Sequence, residues 1–306
     1  MVMSEIKREQ QKEYHVPVMS EEIIDYLALT PGKVIVDATV GTGGHSMYII
    51  KGIVPGGRLI GIDRDEESLA IAKERLFQAG AQCDFVYGNF VDIDTILRRC
   101  NVTCVDGIVF DLGLSSYQLR NPERGFSFQS EGPLDMRMDR HSCISAYDLL
   151  NNLNEQELSS LLWSFGQERW HNRIAKFVVK ERERHPITTT RELSNIVLKA
   201  IPYKYRGLRI HPATRTFQAV RIAVNSELES LESAITKAIA LLSSGGRLCV
   251  ISFHSLEDRA VKLIFRQEAA QERISIITAK PRTASPEEVR DNPLSRSAKL
   301  RVAQKV

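Results

Sequence analysis

Short apolar runs of strand length alternate with longer stretches whose apolar residues recur every three or four positions, and this rhythm occupies two separate parts of the chain. The runs VIVDAT (34–39), RLIGID (58–63), CDFVYG (83–88) and DGIVFDLG (106–113) are rich in β-branched residues and bounded by glycine or turn-forming residues, as buried strands are. Between them lie helical patterns such as SMYIIKGI and DEESLAIAKERLFQAG. Strands and helices in alternation predict βαβ units and a parallel sheet. Ahead of the first strand, Ser20 is placed to cap a short helix, EEIIDYLAL, that Pro31 and Gly32 stop.

The rhythm ends after Asp111. From 118 to 211 no run reads as a strand, whereas ISAYDLLNNL, NEQELSSLLWSFG, ERWHNRIAKFVVKERER and TTRELSNIVLKAI are amphipathic at helical spacing. The α/β pattern then returns with one long helix, TRTFQAVRIAVNSELESLESAITKAIALL, a Gly245-Gly246 turn and the strand RLCVISF. A chain that leaves one sheet and re-enters it predicts an α/β domain of residues 15–117 plus 212–306, interrupted by an all-helical inserted domain, 118–211. Residues 1–14 are polar and are expected to form a disordered tail.

Composition narrows the function classes. With 306 residues, 43% hydrophobic and 26% charged, the chain can bury a sizeable core. No run approaches the roughly 18–20 apolar residues of a membrane helix, and the start is too polar for a secretory signal, so a cytoplasmic protein without membrane association is expected. Five scattered cysteines with no C-x-x-C pair indicate neither a disulfide framework nor a zinc site. The net charge of +3 hides an asymmetry: residues 166–215 hold twelve Lys/Arg against four Asp/Glu. Either a polyanionic partner or a solvated helical face accounts for that excess.

The candidate chemistry begins at VDATVGTGGHS. Glycines after a strand let the backbone turn tightly and bring helix N-terminal N–H groups near a ligand. The dinucleotide pattern G-x-G-x-x-G fails here, because Ser46 stands at the third glycine position. The spacing is instead Asp37-x-x-x-Gly41-x-Gly43-Gly44, and Asp37 can anchor either a ligand's ammonium group or the loop itself. The second strand ends at Asp63, where a carboxylate can bind both ribose hydroxyls. The third leads to Phe90, whose ring can lie against an adenine, and the fourth delivers Asp111 to its carboxyl end. Together these features resemble S-adenosylmethionine-dependent class I methyltransferases, with a nicotinamide oxidoreductase and a non-catalytic RNA-binding factor as the alternatives.

The fourth strand departs from the usual amino-group methyltransferase, which carries Asp or Asn followed by two prolines and an aromatic; here Leu112-Gly113-Leu114-Ser115-Ser116 follow Asp111. A narrower resemblance accommodates it. HVPVM (15–19), DATVGTGGHS, IDRD, DLGLSSYQL, RGFSF with GPLDMRMD (124–139), HPATRTFQAVRIAVNSEL (211–228), ISFHSLEDR (251–259) and NPLSRSAKLRV (292–302) resemble the bacterial 16S ribosomal RNA cytosine-N4 methyltransferases. The resemblance spans about residues 15–302. It implies a class I, Rossmann-like α/β fold with an inserted helical domain, and methylation of one cytidine's exocyclic amine in the decoding region of the small subunit, near the P site. It also implies a donor site made of Gly43, Gly44, His45, Asp63, Phe90, Asp111 and Gln118, to which the loop spacing adds Asp37 and Gly41. The substrate would be 16S ribosomal RNA within the small subunit or its precursor, and a homodimer is left open.

Several further residues carry an expectation. Asp111, His254 and Ser255 are the candidate catalytic residues, with His254 read either as a contact to the cytosine edge or as a satisfied structural histidine. His254 with Glu257 and Asp258 has no second ligand cluster, so no metal is expected. Arg124, Phe126, Arg137, Arg215, Arg221 and Arg296 are candidate RNA contacts. Core packing for Phe126 and surface ion pairs for the arginines are the competing readings.

Overall fold

The computed structural model describes residues 17–77, 79–206 and 210–306. The tail expected at 1–14 lies outside the described residues. By internal contacts the chain forms two compact units, residues 1–115 with 228–306 and residues 116–227.

The first unit is built on an eight-stranded sheet. Its strands are β1 (Val34–Asp37), β2 (Arg58–Asp63), β3 (Gln82–Tyr87), β4 (Val105–Asp111), β5 (Leu242–Ser252), β6 (Ile274–Ile276), β7 (Arg282–Thr283) and β8 (Lys299–Lys305). The order is β3-β2-β1-β4-β5-β8-β6, with β7 pairing β8. Strands β3 through β5 are parallel, while β8 runs antiparallel to β5, β6 and β7. Because β1 is followed in the sheet by β2 on one side and β4 on the other, the chain reverses direction across the sheet at the β1/β4 boundary. Ligands of open α/β sheets bind at such a boundary, outside the strands' carboxyl ends.

Alternation along the strands fills two cores. Val36, Ile60, Ile62, Ile108 and Phe110 face one side, with Ile93, Ile96 and Leu97 of α4 (Ile93–Arg99) and Leu231, Ile235 and Ile239 of α11 (Glu227–Leu241). Ile35, Leu59 and Val109 face the other, with Ile23 and Leu27 of α1 (Ser20–Leu27) and Ile49, Ile50 and Ile53 of α2 (Gly44–Ile53). Each such side chain contributes about 1.5–3 kcal/mol by burial. Between β2 and β3 runs α3 (Glu66–Leu76), whose N-terminus is closed by the Asp65 carboxylate accepting from Glu67 N and Ser68 N. Ser20 is not a cap: it is the first residue of α1, and Met19, in the left-handed region, precedes it without a side-chain bond.

The second unit is helical: α5 (Ser116–Arg120), α6 (Ala146–Asn152), α7 (Glu155–Gly166), α8 (His171–Arg182), α9 (Thr190–Ala200) and α10 (Thr214–Asn225). Reciprocal capping boxes start α6, α7 and α9, from Ser145 with Asp148, Asn154 with Glu157 and Thr189 with Glu192. At the end of α7, Gly166 lies so close to α10 that a β-carbon there would stand 2.6 Å from the Arg215 carbonyl oxygen.

The single long helix expected over 214–242 is two helices. Ser226 adopts a left-handed conformation (φ 45°) and ends α10 before α11 begins. As a result α10 packs with the second unit, and the boundaries fall at 116 and 227 where 118 and 211 were expected.

Candidate functional site

The turn between β1 and α2 is held from beneath by two carboxylates. Asp37, 1% exposed, accepts from Ser46 Oγ at 2.7 Å and from Thr39 N at 3.3 Å. Burial raises its carboxyl above the ordinary value, with the Ser46 bond opposing the rise. Of the two roles open to Asp37, the geometry carries the anchoring of the loop. Ser46 at the third glycine position is thereby explained, because its hydroxyl supplies the donor that a buried Asp37 requires.

Asp63 holds the other side of the turn. One oxygen accepts from Gly41 N at 2.7 Å and the other from Asp65 N at 2.8 Å. Burial dominates these two donors and pushes the Asp63 carboxyl up to about 6. Each oxygen retains a lone pair beyond its backbone partner. Gly41 (φ 51°) and Gly43 (φ 83°) occupy the left-handed region. A β-carbon on Gly43 would approach Leu76 Cδ1 at 3.0 Å, and one on Gly44 would approach Pro17 Cβ at 3.2 Å. The helix that follows, α2, has no side-chain cap, leaving the N–H groups of its first turn for a ligand. Arg75 braces the turn from α3 by donating to the Thr42 carbonyl.

The neighbouring strand ends complete the wall. Phe90 packs edge-on against Phe110, with centroids 5.6 Å apart, and is 9% exposed, so only a margin of its ring faces outward. Asp111 N donates to Thr39 Oγ1 at 2.7 Å, which ties the end of β4 to the β1 turn. The Asp111 side chain is 27% exposed and its Oδ2 lies 3.4 Å from His45 Nε2, a long ion-pair distance. Asp111 Oδ1 and both His45 ring nitrogens lack a hydrogen-bond partner of good geometry among the described residues. Burial disfavours the His45 imidazolium, yet Asp111 first, then Asp37 and Glu288, outweigh it and leave His45 above its ordinary value.

At the end of β5, His254 is the N-cap of α12 (Ser255–Ala270). Its Nδ1 accepts from Glu257 N at 3.4 Å, while Glu257 Oε2 accepts from Phe253 N and His254 N. The cap commits Nδ1 as an acceptor and so places the proton of a neutral ring on Nε2. Of the two readings, the structural one accounts for both ring nitrogens: Nδ1 caps α12, and the buried Nε2 lies 3.1 Å from Glu257 Oε1. Ser255 is exposed at the first turn of α12. Asp258 accepts from Arg301 Nε at 2.7 Å and Lys299 Nζ at 3.0 Å, which hold its carboxyl below the ordinary value despite burial.

Four of the six expected RNA contacts are structural within the second unit. Arg124 is 1% exposed and donates to the carbonyls of Arg137 and Met138. Phe126 is 6% exposed and belongs to the interior. Arg137 grips the Asp135 carboxylate with two 2.8 Å bonds and donates also to the carbonyls of Arg140 and Ser142. Arg221 makes the same two-pronged bond to Glu227, at 2.9 and 2.8 Å, with both groups largely buried. Arg215 and Arg296 are exposed, Arg215 with one bond to the Gln167 carbonyl. Gln118, on α5, is 5% exposed.

A sequence model of the MraW methylase family matches residues 12–306. The chain belongs to that family. Two curated relatives named ribosomal RNA small subunit methyltransferase H are similar over their whole length. The one from Pelobacter propionicus is 49% identical, covering 95% of this chain and 98% of its own, and that from Geotalea uraniireducens is 47% identical, covering 96% and 99%. Among solved structures, an rRNA methylase from Streptococcus thermophilus matches at 12% identity and a TM-score of 0.44, covering 93% of this chain and 95% of that one.

This MraW family member is therefore a methyltransferase that uses S-adenosylmethionine, and its residues suit that donor. The turn offers backbone N–H groups at α2 for a carboxylate, Asp63 offers two acceptor oxygens for a ribose diol, and Asp111 Oδ1 beside them is an acceptor with no partner among the described residues. The β8 strand escaped the sequence reading altogether. Its alternation of apolar Leu300 and Val302 with charged Lys299 and Arg301 was the signal that could have found it.

Proposed function

We propose that this chain methylates the exocyclic N4 amine of one cytidine in the decoding region of 16S ribosomal RNA, taking the methyl group from S-adenosylmethionine. The observation that carries the reading is Asp111: an anchored carboxylate with one unpartnered oxygen, at the β1/β4 boundary of a class I sheet, beside a glycine turn held by Asp37 and Asp63. The donor supplies an electrophilic methyl on a sulfonium. This chain's residues hold it: α2 and the turn at its amino-acid end, Asp63 at the ribose and the Phe90 margin at the adenine.

A cytosine amine is a weak nucleophile, since its lone pair is delocalised into the ring. Fixing it in line with the methyl group can supply on the order of 7–11 kcal/mol. Asp111 would accept a hydrogen bond from the amine and turn its lone pair toward the methyl; as the N–C bond forms and the S–C bond breaks, the proton leaving the amine would pass to that carboxylate, which His45 holds in place from behind. The exposed Ser255 hydroxyl lies at the carboxyl edge of β5 and serves the cytosine's polar edge, while His254 caps the helix that carries it. Arg215 and Arg296, both exposed, contact phosphates.

The substrate is the small ribosomal subunit or its precursor in the cytoplasm, and a homodimer is compatible with the chain. No helix among the described residues is long and apolar enough to cross a membrane. The test is transfer of labelled methyl from S-adenosylmethionine to small subunits from a strain lacking this gene, followed by mass spectrometry of the nucleosides. N4-methylcytidine at one site is expected. Donor binding without transfer to the subunit would overturn the substrate, and absence of donor binding would overturn the reaction.

A further inference from the structure

In the second unit a group of aromatic rings is faced by cations that the donor site does not use. The rings of Trp170 and Tyr205 stand 5.3 Å apart at 46°, and the Arg169 guanidinium carbon lies 5.6 and 5.7 Å from their centres. Lys204 Nζ is 5.0 Å from the Tyr205 centroid, and the Arg206 guanidinium is 5.8 Å from that of Tyr203. One turn into α8, Arg173 lies 5.7 Å from Phe177. Tyr203 is 85% exposed.

The charges here are arranged unlike those of an ordinary solvated helix. Among the described residues Arg169, Arg173, Lys204 and Arg206 have no carboxylate partner, whereas Lys199 and Arg184 on the same unit do pair, both with Glu181. Unpaired cations lying over rings attract a ligand that has both negative charge and flat faces. An acidic peptide has the first without the second, and a duplex hides its base faces in the stack. A single strand of RNA presents phosphates and unstacked bases together, which aromatic and guanidinium planes extend as a stack.

We infer that Arg169, Trp170, Tyr203, Lys204, Tyr205 and Arg206 form a platform for a single-stranded segment of the RNA substrate. Bases stack on Tyr203 and on the guanidinium plane of Arg169, and Lys204 and Arg173 meet phosphates. The inference rests on the reading of the chain as an RNA methyltransferase and adds to it the strand state of the RNA and the residues that take it.

The test compares the full-length chain with Tyr203→Ala and Lys204→Gln, binding a labelled single-stranded oligoribonucleotide of the decoding region or the same strand annealed to its complement. Tyr203→Ala is expected to weaken single-strand binding roughly 5- to 100-fold, leaving duplex binding, donor affinity by calorimetry and melting temperature unchanged. Lys204→Gln is expected to reduce the salt slope for the single strand by about 0.7. Wild-type affinity in Tyr203→Ala, or equal loss for single strand and duplex, would overturn the platform. Methyl transfer to small subunits separates the two claims: if the unaltered chain transfers and Tyr203→Ala transfers with the same KM, the platform fails and the function stands. If the unaltered chain transfers nothing to RNA, the function fails and the platform with it.

Discussion

His45 Nε2 lies 3.4 Å from Asp111 Oδ2, so the first turn of α2 and the end of β4 are joined by a half-hidden ion pair. Burial opposes the imidazolium and Asp111 outweighs it, leaving His45 above its ordinary 6.5. A histidine raised on folding contributes stability that is fully present below its unfolded value and is lost as pH rises through its folded one. The part of the melting temperature that falls as pH is raised above 6.5 is expected to disappear in His45→Asn. In Asp111→Asn, nuclear magnetic resonance should show His45 titrating lower than in the parent chain; an unchanged titration would contradict the pairing.

Asp111 is assigned to the amine, and Asp111→Asn separates that role from donor binding. The amide keeps the shape but loses the charge that draws the amine's protons. Turnover on the small subunit should drop roughly a hundred-fold, the scale of removing one preorganised polar group from a transition state. Donor affinity by calorimetry should change by less than about tenfold. Weakened donor binding with full turnover at saturation would remove Asp111 from the chemistry.

Asp63 is pushed up to about 6 by burial. Ribose hydroxyls donate their hydrogens, so they bind the ionised carboxylate, and that form is lost as pH falls through the raised value. Donor affinity should therefore weaken about tenfold between pH 7 and pH 5, as competition with one proton requires. In Asp63→Asn the affinity should be low and flat with pH. A parent chain whose affinity is level over that range would place the ribose elsewhere.

The strand ends were legible because apolar runs, glycines and acidic residues announce them locally. Asp37, Asp63 and Asp111 all fall at the last position of their strands. What one sequence concealed was pairing over distance. Lys299 and Arg301 share a partner, Asp258, that is more than forty residues away, on α12, and no local pattern announces it. Arg137 could have been read correctly, since Asp135 is two residues before it. The break at Ser226 had no glycine or proline to mark it, and it moved α10 into the helical unit.

That correction makes opposite predictions for two sets of arginines. Arg124 is nearly inaccessible and ties two carbonyls together, so Arg124→Ala should destabilise the chain by about 3 kcal/mol in chemical denaturation. Its effect on RNA affinity should not exceed what the lost folded fraction explains. Arg215→Gln and Arg296→Gln, at exposed positions, should leave stability within about 0.5 kcal/mol and each lower the salt dependence of RNA binding by about one charge. A stable Arg124→Ala protein with weakened RNA binding would restore Arg124 to the interface.

Ser46 and Asp37 should behave as one unit. The Ser46 hydroxyl is fully buried and donates to the Asp37 carboxylate at 2.7 Å, so Ser46→Ala leaves a buried carboxylate short of a donor. Such a loss costs about 1–3 kcal/mol, more when the acceptor is charged. Since burial has already raised Asp37, part of that cost is escaped by taking up a proton, and Ser46→Ala should be least destabilising at low pH. Asp37→Asn should recover much of the loss, because an amide can tolerate burial where a lone carboxylate cannot. A double-mutant cycle of Ser46→Ala with Asp37→Asn is thus expected to show at least about 1 kcal/mol of coupling by denaturant titration. Strict additivity would mean that Asp37 is held by something other than Ser46, and would return it to the ligand.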